Sequence, residues 1–161
     1  MNTSLDTQKP LLIGYVSSRD LADVSPQDAK ALDLVNIAFG HVEDGLCTWR
    51  AGEEAEVQSG LEQLRRLNPK LKFVLSIGGW SAGGFSEAAA TAESRARFGD
   101  SAAELIMRHK LDGIDIDWEY PGISMAGISS DPADKENFTH YLQAIREALD
   151  ARGGEDLLLT I

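Results

Sequence analysis

Short apolar runs alternate along this chain with longer stretches in which apolar residues return every three or four positions. "LLIGYV" (Leu11 to Val16), "LVNIAF" (Leu34 to Phe39) and "KFVLSI" (Lys72 to Ile77) have the length and composition of buried strands. "LDGIDIDWEYPG" (Leu111 to Gly122) reads as a fourth strand, and "LLLTI" (Leu157 to Ile161) begins a fifth. Between them Ser25-Pro26 predicts an N-cap and first helical residue, opening a short helix through Ala31. Leu61, Leu64 and Leu67 recur at helical spacing until Asn68-Pro69. Phe98, Ala102, Leu105 and Ile106 mark the next helix, with Arg108, His109 and Lys110 at its negative C-terminal end. Asp131-Pro132 predicts another cap and start. Phe138, Tyr141, Leu142, Ile145 and Leu149 then give an inward stripe, and Gly153-Gly154 a stop. The polar segment holding Gly45 and Gly52 reads as a loop, as does "SAGGFSEAAATAES", which leads into a helix.

Regular strand–helix alternation with nearly continuous apolar strands predicts an α/β fold, a parallel sheet covered by helices. Two architectures satisfy this, an open doubly wound sheet and a (β/α)8 barrel. "GYVSSRD" follows the first strand where a dinucleotide fold would carry G-x-G-x-x-G. A TIM barrel takes about 250 residues. The 161 residues here supply its first four and a half β/α units, an incomplete barrel domain over 1–161 with a polar tail at 1–10.

Composition narrows the partners. The chain is 43% hydrophobic and 25% charged, as globular domains are, and its 26 acidic against 15 basic residues give a net charge of −11. No basic stripe offers a site for a phosphate backbone, so nucleic acid is not an expected partner, whereas a neutral sugar is compatible. No apolar run approaches the roughly 20 residues of a membrane span. The start, "MNTSLDTQKP", lacks the basic and apolar regions of a secretory signal, which leaves an intracellular protein or one whose signal has been removed. Cys47 is the single cysteine, so an internal disulfide or Cys-pair metal site is excluded.

The fourth strand carries the chemistry. Side chains alternate across a strand, so Asp115, Asp117 and Glu119 share one face while Ile114, Ile116 and Trp118 share the other. The apolar face suits covering helices, and the acidic face then points into the barrel, with Glu119 nearest the C-terminal mouth where barrel active sites lie. A single acid at a strand end usually caps a helix or faces water; three in period two do not read that way. Close carboxylates in a partly desolvated interior cannot all ionise, so at least one is expected to hold a proton near neutral pH. A Mg²⁺ or Ca²⁺ site is the alternative, less favoured because no second oxygen-rich cluster lies nearby in sequence. Asp112, on the opposite parity, reads as structural.

"DGIDIDWE" resembles the D-x-x-D-x-D-x-E signature of glycoside hydrolase family 18, the chitinases and their relatives, and "LSIGGW" (Leu75 to Trp80) resembles that family's S-x-G-G motif on the third strand. The resemblance implies a retaining glycosidase acting on β-1,4-linked N-acetylglucosamine polymers, with no cofactor and no metal. It implies that Glu119 protonates the glycosidic oxygen while the substrate's own 2-acetamido carbonyl closes on the anomeric carbon, giving an oxazolinium ion. Asp117 would hydrogen-bond the acetamido N–H, and Asp115 would share a proton with Asp117 lower in the barrel. Ser76 would point inward to the aspartates; as a plain strand residue it would be satisfied by backbone. Gly78 and Gly79 allow close backbone approach at the mouth or a tight turn. Tyr15, Phe39, Trp80 and Tyr120 fall at strand C-terminal ends, where aromatic faces stack on sugars or simply fill core. Trp118 belongs on the helix-facing side, and His41, His109 and His140 read as surface or cap residues.

Further implications follow from the same resemblance. Non-proline cis peptides are expected at Ala38–Phe39 and Glu119–Tyr120. The partner is chitin or its oligosaccharides, and the location extracellular. A catalytically dead chitin-binding lectin and an endo-β-N-acetylglucosaminidase are the competing readings; lectin-like members typically lose the terminal acid, which here is Glu119. The family's later Tyr and Trp motifs lie beyond Ile161. A barrel cut in its fifth strand exposes two edges and its inner face, so this chain in isolation is not expected to be a soluble, active monomer; it should self-associate, aggregate or owe its order to a crystal of a longer protein.

Overall fold

The computed structural model describes residues 10–153 and 156–161. Five parallel strands, β1 (Ile13–Ser17), β2 (Leu34–Glu43), β4 (Lys72–Gly78), β5 (Gly113–Asp117) and β6 (Leu158–Thr160), lie side by side in that order. The helices α1 (Pro26–Ala31), α2 (Glu53–Leu67), α4 (Ala92–His109) and α5 (Asp134–Gly153) connect them. The expected α/β architecture is therefore present, with all five predicted strands. Among the described residues no helix is long and apolar enough to cross a membrane.

The helix starts follow local chemistry. Ser25 caps α1 by accepting the Asp28 N–H, with Pro26 at the first position, as its sequence predicts. Thr91 and Ser94 form a reciprocal capping box at the head of α4. Asn68 ends α2. Even-parity residues of β5, Ile114 and Ile116, join Phe73, Leu75 and Ile77 of β4 in a buried rank against the helices. Phe98, Ala102 and Ile106 of α4 and Tyr141, Ile145 and Leu149 of α5 complete that core with less than 2% exposure each. Trp118 lies on this side, stacked on Phe85 at 5.4 Å and edge-on to Phe138 at 5.6 Å.

Several elements depart from the pattern-based expectation. The segment after Phe39 is not a loop: β2 runs on to Glu43 and turns at Asp44-Gly45, with φ of 51° and 72°, into an antiparallel strand β3 (Leu46–Thr48). Asp-Gly with both central residues at positive φ is the hairpin geometry that matches strand twist. The Gly-Ser-Ala segment contains a short helix, α3 (Phe85–Ala89), because Phe85 and Ala88 bury against the core. The segment after β1 holds a 3₁₀ turn at Leu21–Asp23. The last helix starts at Asp134 rather than at Pro132. Residues 131–133 form a turn in which Asp131 accepts the Ala133 N–H at 2.8 Å. The fully buried Asp134 carboxylate gathers Ser86 Oγ at 2.8 Å and the N–H groups of Asp131 and Gly122 at 2.8 and 3.2 Å. The helix ends at Gly153; Gly154 of the predicted stop and residues 1–9 of the predicted tail lie outside the described residues. His109 is no surface residue. It is 4% exposed, with its ring nitrogens 3.3 Å from Gln58 and 3.1 Å from Glu54, so it joins α4 to α2.

Asp112 is structural, as its parity predicts. Its carboxylate accepts the Phe73 N–H at 2.9 Å and pairs with Lys72 Nζ at 2.6 Å, setting the start of β5 against the start of β4. Asp112→Ala should lower the unfolding free energy by about 2 kcal/mol, the loss expected for hydrogen bonds to a charged group. Urea unfolding would register this as an earlier midpoint with unchanged slope; an unmoved midpoint would remove Asp112 from the sheet's supports.

Candidate active site

Register builds the site. Ala38 of β2, Ser76 of β4, Asp115 of β5 and Thr160 of β6 are successive Cα partners across the sheet. Residues in one rank project to the same side, here the face opposite the helices. Asp115, 3% exposed, receives Ser76 Oγ–H on Oδ2 at 2.8 Å and Thr160 Oγ1–H on Oδ1 at 2.6 Å. Tyr15 donates its hydroxyl to Oδ2 at 3.1 Å. Tyr15 is on β1, three strands from β5, a separation of about 14 Å in a flat sheet at the usual strand spacing. The hydrogen bond closes because the sheet curls, bringing β1 toward β5 over its concave face.

Asp117 stands one step further along β5, half-buried, and hydrogen-bonds Glu119. Burial first, then the charges of Glu119 and Asp115, then that hydrogen bond raise its pKa above the usual carboxylate value. Two carboxyl groups hydrogen-bond only through a shared proton, and the raised Asp117 pKa is the direction such sharing produces. Glu119 lies beyond the strand proper, half-buried at the mouth, and accepts a hydrogen bond from the Tyr120 hydroxyl. The charge of Glu119, and then this hydrogen bond, raise the Tyr120 pKa. Tyr15 is likewise raised, by burial and by the charge of Asp115, against the smaller lowering effect of a hydrogen bond from Asn36.

The glycines after Ser76 serve close approach. Gly78 and Gly79 have φ of 124° and 88°, and the Gly79 N–H bonds the Asp117 carbonyl at 2.9 Å. A Cβ on Gly78 would collide with that carbonyl, and one on Gly79 would come within 2.8 Å of the Phe39 ring. The peptides Ala38–Phe39 and Glu119–Tyr120 are both cis, as expected. Tyr15, Trp80 and Tyr120 are 60%, 57% and 45% exposed, and Phe39 is half-buried, so their rings are open at the mouth rather than spent in the core.

Residues that the sequence reading did not place at the site complete the neighbourhood, among them His41, which is half-buried rather than a surface residue. A cavity of about 550 Å³ continues from Tyr15 and Phe39 and is lined also by Arg19, His41, Arg50 and Glu53. Glu53, 6% exposed, holds Arg19 Nε at 2.9 Å and Ser18 Oγ at 3.1 Å, fixing the guanidinium at the cavity wall. Burial and then the Arg50 charge push the His41 pKa down. No local pattern joins Arg19 to Glu53, which are 34 positions apart. Thr160 was legible only as part of an apolar strand.

Known proteins are similar to this chain in sequence and fold. Chitinase A1 of Niallia circulans is 45% identical over 106 residues, covering 63% of this chain and 15% of that protein. The solved glycoside hydrolase family 18 N-acetylglucosaminidase of Paenibacillus barengoltzii superposes with a TM-score of 0.85 at 42% identity, over 93% of this chain and 44% of the other. The chitinase domain of the spore coat protein CotE of Clostridium difficile gives a TM-score of 0.82 at 38% identity, over 98% and 43% of the two chains. The chain thus spans less than half of each of these relatives. Residues 11–161, which include the acidic row and every ring at the mouth, match the family model Glycosyl hydrolases family 18, and the chain belongs to that family.

Proposed function

We propose that this chain carries the acid–base machinery of a retaining glycosidase that hydrolyses β-1,4-linked N-acetylglucosamine polymers, chitin foremost, by substrate assistance. The observation that carries the reading is the row Asp115, Asp117, Glu119 on one concave face, with Asp117 raised between the other two. The curled sheet is read as the first staves of a (β/α)8 barrel whose mouth holds the sugar. The family match supports both, as does the likeness to an N-acetylglucosaminidase and to chitinases.

Glu119 takes up the proton it shares with Asp117 and gives it to the glycosidic oxygen as the bond to the leaving sugar breaks. The acetamido carbonyl of the sugar on the other side attacks the anomeric carbon from the opposite face, forming an oxazolinium ring. Holding that internal nucleophile in place raises its effective concentration, so no protein nucleophile is needed. Asp117, left a carboxylate by that transfer, accepts the acetamido N–H and balances the developing positive charge. Glu119, now a carboxylate, takes a proton from the incoming water, which opens the ring with retained configuration. Tyr15, Phe39, Trp80 and Tyr120 supply stacking faces, and Gly78 and Gly79 let backbone approach the sugar. A binding-only role on the same fold fits less well, because the terminal acid Glu119 is in place. An extracellular location follows from the same reading.

In the full-length protein, Glu119→Gln should depress hydrolysis of N-acetylglucosamine oligosaccharides by about 10²–10⁴-fold, the usual worth of a general acid, with binding retained. Near-normal turnover by this variant would exclude Glu119 from the role. Glucose oligomers of equal length lack the internal nucleophile and should not be cleaved; comparable rates on both polymers would refute substrate assistance.

The raised carboxyl also sets a pH dependence. The folded chain keeps the Asp117 proton at pH values where the unfolded chain, near the ordinary value of 3.8, has released it. The stability so gained is complete below that ordinary value and is lost as pH rises through the raised one. Asp117→Asn cannot titrate, so its urea midpoint should fall less steeply than that of the wild type across this window, and its turnover should drop. Parallel stability curves for the two proteins would show that Asp117 does not hold the proton.

A further inference from the structure

Asp115 is a buried carboxylate that, among the described residues, forms no ion pair. Its compensation comes from hydroxyls. Tyr15 and Ser76 both donate to Oδ2, at 3.1 and 2.8 Å, whereas Oδ1 receives Thr160 at 2.6 Å and, among the described residues, no other donor. The groups facing Asp115 are thus Tyr15 from β1, Ser76 from β4, Thr160 from β6, and Asp117 with Glu119 from its own segment. Asn36 of β2 acts one step back, through Tyr15. Asp117 and Glu119 are the only carboxyl groups among these, and no cation faces Asp115 among the described residues. Hydrogen bonds donated to a carboxylate favour its ionised form, and an oxygen without a donor is a place for a proton.

We propose that Thr160 is a positioning residue of this site: its hydroxyl occupies Oδ1 of Asp115, keeps that group an acceptor and so leaves the proton of the acidic row with Asp117. The proposal rests on the glycosidase reading for its consequence in turnover, whereas the acceptor role of Asp115 rests on the three hydrogen bonds it receives. Register supports it, because Ser76, Asp115 and Thr160 are consecutive partners on three neighbouring strands and project to one face. β6 thereby contributes a functional group to the acid row, as well as a strand to the sheet. Without the hydroxyl, Oδ1 becomes a competing proton site, and less of the proton resides on the carboxyl beside Glu119.

The test compares Thr160→Val, which removes the donor at nearly constant shape, with Thr160→Ser, which keeps it. Valine is a strong strand former and Thr160 is exposed at the sheet's edge, so both variants should fold. Carbon-13 NMR of the aspartate carboxyls follows the titration of the Asp115–Asp117 pair without reference to catalysis. The first titration step of the pair should rise by about one pH unit in the valine variant, tenfold in proton affinity, and return to the wild-type value in the serine variant. In the oligosaccharide assay the valine variant should lose about tenfold in kcat with KM unchanged, and its pH profile should shift in the same sense as the NMR titration. A valine variant that titrates like the wild type would overturn the proposal. A serine variant as perturbed as the valine one would reduce Thr160 to packing. If the full-length protein cleaves no N-acetylglucosamine oligomer, the glycosidase reading falls, and the NMR comparison still decides the placement of the proton.

Discussion

One buried carboxylate organises the concave side of this protein. Burying a charge without a cation is costly, and Asp115 meets that cost with hydroxyl donors drawn from three other strands. The donors are neutral, so the charge stays available to act on its neighbours instead of being cancelled by an ion pair. Because the Tyr15 donor comes from β1, three strands from β5 in the strand order, the same set of bonds holds the sheet in its curl. Electrostatics at the site and curvature of the fold are two effects of one set of contacts.

Strand alternation ties that face to the other. Ile114 and Ile116 press into the helices, which leaves Asp115 and Asp117 no choice but the concave side. A register slip of one residue would bury the acids among helix side chains and expose the isoleucines. Asp112 guards against this at the strand's entrance, through its bonds to Lys72 and Phe73. At the exit Gly78 admits the Asp117 carbonyl where a side chain would exclude it.

Features governed by local periodicity and caps were legible in the sequence: the five parallel strands, Ser25-Pro26, the inward stripe of α5, the parity of the acidic row and of Ser76. What escaped was decided at longer range. The Asp44-Gly45 hairpin carried a proper turn signal but lay in polar surroundings that masked a three-residue strand. Asp131-Pro132 has the chemistry of a helix start, yet the structure uses Asp134, whose carboxylate is claimed by Ser86 and Gly122 as well. His109 sits where a basic residue would favour the helix C-terminus, and tertiary contacts with Glu54 and Gln58 bury it instead. Thr160 and the Arg19–Glu53 pair owe their places to the curl of the sheet and to partners at least 34 positions away, so no window of sequence reveals them.

The ring of Trp118, wedged between Phe85 and Phe138, has a bearing on how this protein tolerates change. Trp118 precedes Glu119 directly, and the two point to opposite sides of the chain, so the outer layer of helices sets the angle at which the acid enters the mouth. Substitutions in α3 or α5 that reshape this aromatic socket will act as a lever on a carboxylate they never touch. A library meant to tune the reach of Glu119 has its natural targets in the outer shell.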